Sequence, residues 1–346
     1  MQHKITMQDI ANIAGVSKST VSNYINYPNT NKISMATKER IQAALDQTKY
    51  GYQKSRHIIQ TGQRTICCVF PRPEPALSSA FLSQILAGVQ LALTERNCNL
   101  MIPPASGLST LEIFERQLKL CGGQQGIILF GSRYLTEKDT QTCLELLANS
   151  RIPYVCVNFP PLTGSINQVI INRNGIVTAL TTLIQLGHRN IGLMIGRALD
   201  AETLAILNLY RSTLEKYDIP CEDVNILNGD FTYQGAMEAF LTRCNTRNNA
   251  PLSAIICLSD IMAAGVYDAA RQLGIAIPGK LSVIAQNESP FRRLFSPPLS
   301  TIQVHLEEIG KKAVEILFQS IESGHIGYRS YVDGDFVLHD SVSTYE

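Results

Sequence analysis

No run of about 18 consecutive apolar residues occurs in this 346-residue chain, which argues against a membrane-spanning helix. The opening residues, MQHKITMQDI, hold no apolar signal region, so the protein is expected to stay in the cytosol. Nine cysteines are present (Cys67, Cys68, Cys98, Cys121, Cys143, Cys156, Cys221, Cys244 and Cys257), but their number is odd, their spacing is scattered and no CxxC pair occurs. That pattern argues against a disulfide framework or a zinc site. Most of these cysteines sit in apolar runs such as ICCVF and YVCV, where they read as small buried hydrophobes. The six histidines are dispersed; His188, in a Gly-His-Arg turn after a helix, reads as a C-terminal cap. No GxGxxG follows a strand, and GxxxxGK[ST], GxSxG and HExxH are all missing, so neither an enzyme nor a cofactor is expected. No internal repeat, low-complexity tract or heptad tail is found, so no coiled-coil tetramer is expected.

What is there supports folded cores: 45% of residues are hydrophobic and 17% charged. The net charge of +1 hides an asymmetry. Residues 1–64 hold nine Lys and Arg against three acids, a net +6, while the remainder holds 21 against 26, a net −5. A basic head on a mildly acidic body is the electrostatic footprint of polyanion binding, although a solvated basic surface has the same composition.

The head reads as three short helices. Thr6 is a good N-cap for MQDIANIA, in which Met7, Ile10, Ala11 and Ala14 recur at helical spacing. Gly15 ends that helix because it can adopt a positive φ. Ser17 can cap KSTVSNYIN, Tyr27-Pro28-Asn29 is a turn, and Ser34 can cap MATKERIQAALDQ. Two helices joined at a Gly turn, followed by a third, describe an all-α helix-turn-helix unit. Such a unit presents the start of its second helix to the major groove. The basic segment QKSRHIIQTGQR follows as a linker or short hinge helix. Beyond it, strands alternate with helices: TICCVFP, NLMIP, QGIILFGS, IPYVCVNF, NQVIIN, NIGLMIG, DVNILNG, AIICLS and KLSVIAQN read as strands. That alternation predicts α/β lobes, each built on a doubly wound parallel sheet.

The segment TMQDIANIAGVSKSTVSNYIN resembles the start of the LacI/GalR family of bacterial transcription regulators. Asp9-Ile10-Ala11, Ala14-Gly15-Val16-Ser17, Thr20-Val21-Ser22, Asn26, Thr37-Lys38-Glu39-Arg40-Ile41 and Tyr52 carry the likeness. It continues through Leu186-Gly187-His188-Arg189, Asn228-Gly229-Asp230-Phe231 and Pro297-Pro298-Leu299-Ser300-Thr301-Ile302, and so covers almost the whole chain. The resemblance implies a helix-turn-helix head at 1–52, a hinge at 53–63 and a bilobed, periplasmic-binding-protein-like sensor domain at 64–346. The lobes are drawn at 64–158 with 288–320, and at 159–287 with 321–346.

The resemblance further implies that Lys18, Ser19 and Asn23 read base edges, while Thr20 and Ser22 contact phosphates. Thr6, Ser17, Asn26, Lys32 and Tyr52 complete the expected DNA-binding set. The family often carries Arg where Asn23 stands; Asn pairs bidentately with adenine, so an altered half-site is expected. The hinge departs from the family pattern and is about two residues shorter, with Ile59 as the apolar wedge and Arg56 and His57 near phosphates or the groove. The effector positions implied are Phe81, Asn158, Arg197, Phe231, Ser259 and Asn287. Phe231 would stack on a ring. An acid is usual where Asn158 and Asn287 stand, and Leu209-Tyr210 replaces a usual Gly-aromatic pair. These amides point away from a neutral sugar toward an anionic or amide-bearing effector, with a sugar or sugar derivative still the family's ordinary choice. The expected protein is therefore a cytoplasmic, homodimeric repressor of a near-palindromic operator, controlled by a small molecule between the lobes. Two alternatives stay open: a small-molecule binding protein, and a DNA-binding regulator whose cleft no longer senses a ligand.

Overall fold

The computed structural model describes residues 6–26, 33–48, 64–74, 76–132, 134–196, 201–246, 250–286 and 294–345. The chain divides into two compact units, 1–64 and 65–346. The expected hinge at 53–63 lies outside the described residues.

In the first unit, helices α1 (Met7–Ala14), α2 (Lys18–Asn26) and α3 (Met35–Thr48) enclose a small core. Ile10, Ala11, Ala14, Val21, Ile41 and Ala44 are buried there, with Val16, Tyr24 and Leu45 packed against them. A capping box starts α1: the Thr6 hydroxyl accepts from the Asp9 amide, and the Asp9 carboxylate accepts from the Thr6 amide at 2.7 Å. Gly15 ends α1 at φ 62°, the left-handed conformation that glycine adopts without a Cβ penalty. Tyr24 ties α2 to α3 by donating to Gln42 Oε1 at 3.1 Å.

The second unit contains two six-stranded sheets. The first is built from β1 (Arg64–Val69), β2 (Cys98–Met101), β3 (Gly126–Phe130), β4 (Tyr154–Val157), β5 (Gln168–Ile171) and β11 (Arg329–Val332). The second is built from β6 (Ile191–Ile195), β7 (Ile226–Asn228), β8 (Ala254–Cys257), β9 (Ser282–Gln286), β10 (Ser300–Val304) and β12 (Gly334–Val337). Their strand orders, β2-β1-β3-β4-β5-β11 and β7-β6-β8-β9-β10-β12, are the same doubly wound plan used twice. The central pairs are parallel in both, but β12 runs antiparallel to β10, so the second sheet is not wholly parallel. Strands β10 to β12 were not among those expected, because their residues are polar, short or exposed rather than apolar runs.

Helices α4 (Ala80–Glu95), α5 (Thr110–Leu120) and α6 (Glu137–Ser150) connect strands of the first lobe. Helices α8 (Ala201–Lys216), α9 (Tyr233–Asn245) and α10 (Asp260–Gln272) connect strands of the second. The two remaining long helices are exchanged. Helix α7 (Asn174–Gln185) follows β5 but buries Ile176, Leu180 and Leu183 in the second lobe's core. Helix α11 (Leu306–Ser323) follows β10 but buries Ile309, Val314 and Leu317 in the first lobe's core. It crosses α4 so closely that a Cβ on Gly88 would lie 1.9 Å from the Glu307 carbonyl oxygen.

The lobe limits therefore differ from those expected. The chain crosses after β5, between β10 and α11, and between β11 and β12. Residues 159–171 and 321–332 belong to the first lobe, and 294–304 to the second. The apolar face of each exchanged helix, rather than chain continuity, decides where it packs. His188 does serve the C-terminal cap of α7, through its backbone: its amide reaches the Leu183 carbonyl at 3.0 Å and the Gly187 amide the Ile184 carbonyl at 3.1 Å. Arg189 Nη1 adds a bond to the Ile184 carbonyl at 2.8 Å. The buried His188 ring meets the C-terminal segment, donating from Nε2 to the Ser343 carbonyl at 3.0 Å. Cys221 and Cys244 are exposed, unlike the six buried cysteines.

Candidate functional site

On the first unit, the site is the start of α2. The Ser17 hydroxyl accepts from the Thr20 amide at 3.1 Å, which caps the helix. Ser17 Oγ also lies 2.7 Å from both Ser19 Oγ and Thr20 Oγ1, so the three hydroxyls form one cluster. Lys18 and Ser19 are exposed, while Thr20 and Ser22 are half-buried. An uncovered helix N-terminus carrying a lysine and hydroxyls suits an anionic groove, through its partial positive charge and its donors. Asn23 and Asn26 occupy α2, but their side chains lie outside the described residues, as do Lys32, Tyr52, Arg56 and Ile59. The Thr6 hydroxyl is engaged in the α1 cap, donating to Asp9 Oδ2 at 2.7 Å.

On the second unit, three of the expected effector residues, Asn158, Phe231 and Ser259, follow the carboxyl ends of parallel strands. Ligands of doubly wound sheets bind at that edge, where the order reverses between the first and third strands. In the first lobe this point lies between β1 and β3. Phe70 and Phe130 follow or end those strands and stack at 4.4 Å. The buried Gln117 fixes the end of β1 by accepting from the Phe70 amide at 3.1 Å. Immediately beyond, Arg72 binds Glu74 at 2.5 Å, and Glu74 also accepts from the Tyr134 hydroxyl, which bridges the switch point. These three residues were not expected. Their position just after β1 and β3 is the signal that would have found them, once the strand order was known.

Phe81 lies in the first turn of α4 and packs on the first lobe's core. Asn158 directly follows β4 with φ 60°, and its Oδ1 is buried with no hydrogen-bond partner. In the second lobe, Asp230 and Phe231 follow β7 with φ 54° and 53°. The Phe231 ring covers Gly196 at the end of β6: a Cβ there would lie 1.9 Å from the ring. Ser259 follows β8, and its hydroxyl caps α10 by accepting from Met262 at 3.4 Å. Arg197 and Asn287 lie outside the described residues. Tyr210 is fully buried and donates to the Ile191 carbonyl at 2.8 Å, a core role away from the edge. A cavity of about 240 Å³ lies where the two lobes meet, with Asn158 in its wall; Phe81, Phe231 and Ser259 stand outside it.

Two family models match the chain: "Bacterial regulatory proteins, lacI family" over residues 6–52, and "Periplasmic binding protein-like domain" over residues 180–334. The chain is 29% identical over 342 residues to the ribose operon repressor of Haemophilus influenzae, covering 97% of this chain and 98% of that protein. It is 27% identical over 341 residues to the HTH-type transcriptional repressor PurR of Vibrio vulnificus, covering 97% and 98%. A solved structure of the lac repressor dimer bound to operator and the anti-inducer ONPF matches with a TM-score of 0.72 at 20% identity, covering 99% of this chain and 100% of that one. That last likeness bears on the fold. Among the described residues, no helix is long and apolar enough to cross a membrane.

Proposed function

The chain belongs to the lacI family of bacterial regulatory proteins, and on that premise we propose that it is a sequence-specific repressor of transcription controlled by a small molecule bound between its lobes. The observation that carries this reading is the capped, uncovered start of α2, with Lys18 and Ser19 exposed on a unit of net charge +6. Lys18, Ser19 and Asn23 are the residues proposed to read base edges. Thr20 and Ser22, with Thr6, Ser17, Asn26, Lys32 and Tyr52, would set the register on the backbone. Arg56 and Ile59 would act at the hinge, Ile59 as a minor-groove wedge. Two copies of the chain would place two such helices on a near-palindromic operator, in the cytoplasm, with no chemistry performed on the DNA or the effector.

Phe81, Asn158, Arg197, Phe231, Ser259 and Asn287 are proposed as effector contacts. Likeness to a ribose operon repressor supports a sugar or sugar derivative, while the amides at 158 and 287 favour a ligand that offers donors. A ligand that prefers one lobe arrangement shifts the population toward it and so couples to DNA binding.

The test is selection of bound DNA from a random pool by the purified full chain at one fixed, moderate salt concentration. One enriched near-palindrome, with adenine opposite Asn23, is expected. Binding that is only salt-sensitive and indifferent to sequence would overturn the reading.

A further inference from the structure

Four cysteines share one core cluster of the first lobe. Cys67 on β1, Cys121 directly after α5, Cys143 on α6 and Cys156 on β4 are all fully buried in it. A thiol hydrogen bond joins Cys67 to Cys121, and Cys143 lies near Cys156. The first pair is held from both sides by bonds that do not involve the sulfurs. In the turn that follows α5, the Gln124 amide donates to the Cys121 carbonyl at 3.1 Å and the Gln125 amide to the Thr65 carbonyl at 3.2 Å. One turn earlier, Gln117 of α5 accepts from the Phe70 amide at 3.1 Å. Cys67 lies between Thr65 and Phe70 along the chain, so these two fastenings press the end of α5 against it.

The pairing sets the two thiols apart from their neighbours. The hydrogen bond from Cys67 brings the Cys121 thiol below its ordinary value despite burial, and the same bond, with burial, holds the Cys67 proton in place. Burial pushes Cys143 up to about 12 and raises Cys68 and Cys156 as well. The thiolate is the form that oxidants attack, which singles out Cys121 among the buried thiols. Gly122 and Gly123, the next two residues, are exposed, so a small opening of this turn brings Cys121 to solvent.

We propose that Cys67 and Cys121 are a reversible dithiol–disulfide pair, oxidised by a peroxide, and that the bond formed clamps the end of α5 to β1. The Cys121 thiolate attacks one peroxide oxygen; the O–O bond breaks, leaving a sulfenic acid and a hydroxide that takes up a proton as water. The Cys67 sulfur then attacks the Cys121 sulfur. The S–S bond forms, the S–O bond breaks, and the hydroxide leaves with the Cys67 proton as a second water. Two thiols thus lose two electrons to one peroxide. In a reducing compartment such a bond is transient and responsive, unlike the structural disulfides of secreted proteins. The pair stands independently of the repressor reading.

The test uses the full chain with Cys221→Ser and Cys244→Ser, which removes the two exposed thiols. It is treated with hydrogen peroxide, free thiols are alkylated in denaturant, and unreduced peptides are mapped by mass spectrometry. A single disulfide, Cys67–Cys121, is expected, with two thiols lost and both recovered in dithiothreitol. The oxidised protein should melt about 5 °C or more above the reduced one, because closing a long loop restricts the unfolded chain. Adding Cys67→Ala should abolish the disulfide and slow peroxide labelling of Cys121 at least about tenfold, provided that its melt stays cooperative. The parent's peptide map decides the pairing even where that variant fails to fold. No disulfide, a Cys143–Cys156 link in its place, or thiols that dithiothreitol does not recover would each overturn the pair. A disulfide that leaves the melt unchanged or lowers it overturns the clamp.

Discussion

The two lobes use one strand order but hold it together with different polar fastenings. In the first, single buried amides do the work: Gln168 secures the loop after β4, and Asn167 Oδ1 accepts from the Gly327 and Tyr328 amides, drawing the returning chain onto β5. In the second, the fastening is a linked set. Asn225 donates to Asn190 at 2.7 Å and accepts from the buried Arg243 at 2.8 Å, while Asn190 and Arg243 both donate to the Ala250 carbonyl. Ser341 and Ser343 then stitch the C-terminal segment to β9, β10 and His188. Topology follows from apolar runs that many sequences supply, whereas each fastening depends on one residue at one place. That is why a structural repeat can exist where no sequence repeat is detectable.

Each exchanged helix packs in the core of the lobe opposite the strand it follows, which predicts that the lobes unfold together, and Gly88→Val is the severest way to test that. A side chain at Gly88 meets the backbone of α11, which no rotamer change relieves. The expected loss is about 3 kcal/mol or more, seen as an early transition in urea followed by circular dichroism. Because α11 is tethered on β10 of the second lobe, both lobes should unfold in that single transition. Separate transitions would mean that the lobes are independent despite the exchange.

Gln168→Leu removes only the first lobe's fastening. It strands the Leu162 amide and two carbonyls, with an expected loss of about 2–3 kcal/mol. Hydrogen exchange should quicken first at Leu162, while amides of β8 and β9 keep their protection relative to the global unfolding limit. Equal acceleration in both lobes would contradict a local role.

Much of this architecture was legible beforehand, and the exceptions share a cause. Strands such as Gly126–Phe130 and Ala254–Cys257 are buried along their whole length and announce themselves as apolar runs. Ser300 and Thr301 in β10 are equally buried but polar, and β11 and β12 are edge strands with exposed residues, so the same criterion passed over them. The head was readable to single residues because its caps are local: Thr6, Gly15 and Ser17 act within three or four positions of themselves. The lobe limits were not, since they depend on which distant sheet receives α7 and α11. At the candidate cleft, Phe81, Asn158, Phe231 and Ser259 all stand at strand ends or helix starts. The Arg72–Glu74–Tyr134 link spans 60 positions of chain and needs the strand order to be seen.

The C-terminal fastening of the second lobe should also be sensitive to pH, where the first lobe's amides are not. Burial drives the His188 pKa below its ordinary value of 6.5, outweighing the opposing hydrogen bond to Ser343. The folded protein then binds fewer protons at this site than the unfolded chain. Its stability contribution is complete above about pH 6.5 and declines as pH falls toward the lowered value, with a slope of at most about 1.4 kcal/mol per pH unit. Melting temperatures measured between pH 7.5 and 5.5 should fall, and His188→Gln should flatten the trend while lowering the plateau. An unchanged slope in that variant would place the titrating group elsewhere.

The smallest effect is expected at the first lobe's edge itself, from Tyr134→Phe. The substitution deletes a hydroxyl that donates to Glu74, yet Glu74 keeps its bond to Arg72, and the half-buried ring keeps its packing. A net hydrogen bond at a partly solvated site contributes about 1 kcal/mol or less, since water replaces the lost partner. The melting temperature should therefore barely move, in contrast to Gln168→Leu, whose partners are enclosed. A loss comparable to that of Gln168→Leu would mean that Arg72, Glu74 and Tyr134 form a structural brace like those on the loops. A near-neutral result is what a polar group placed for a ligand, rather than for the fold, would give.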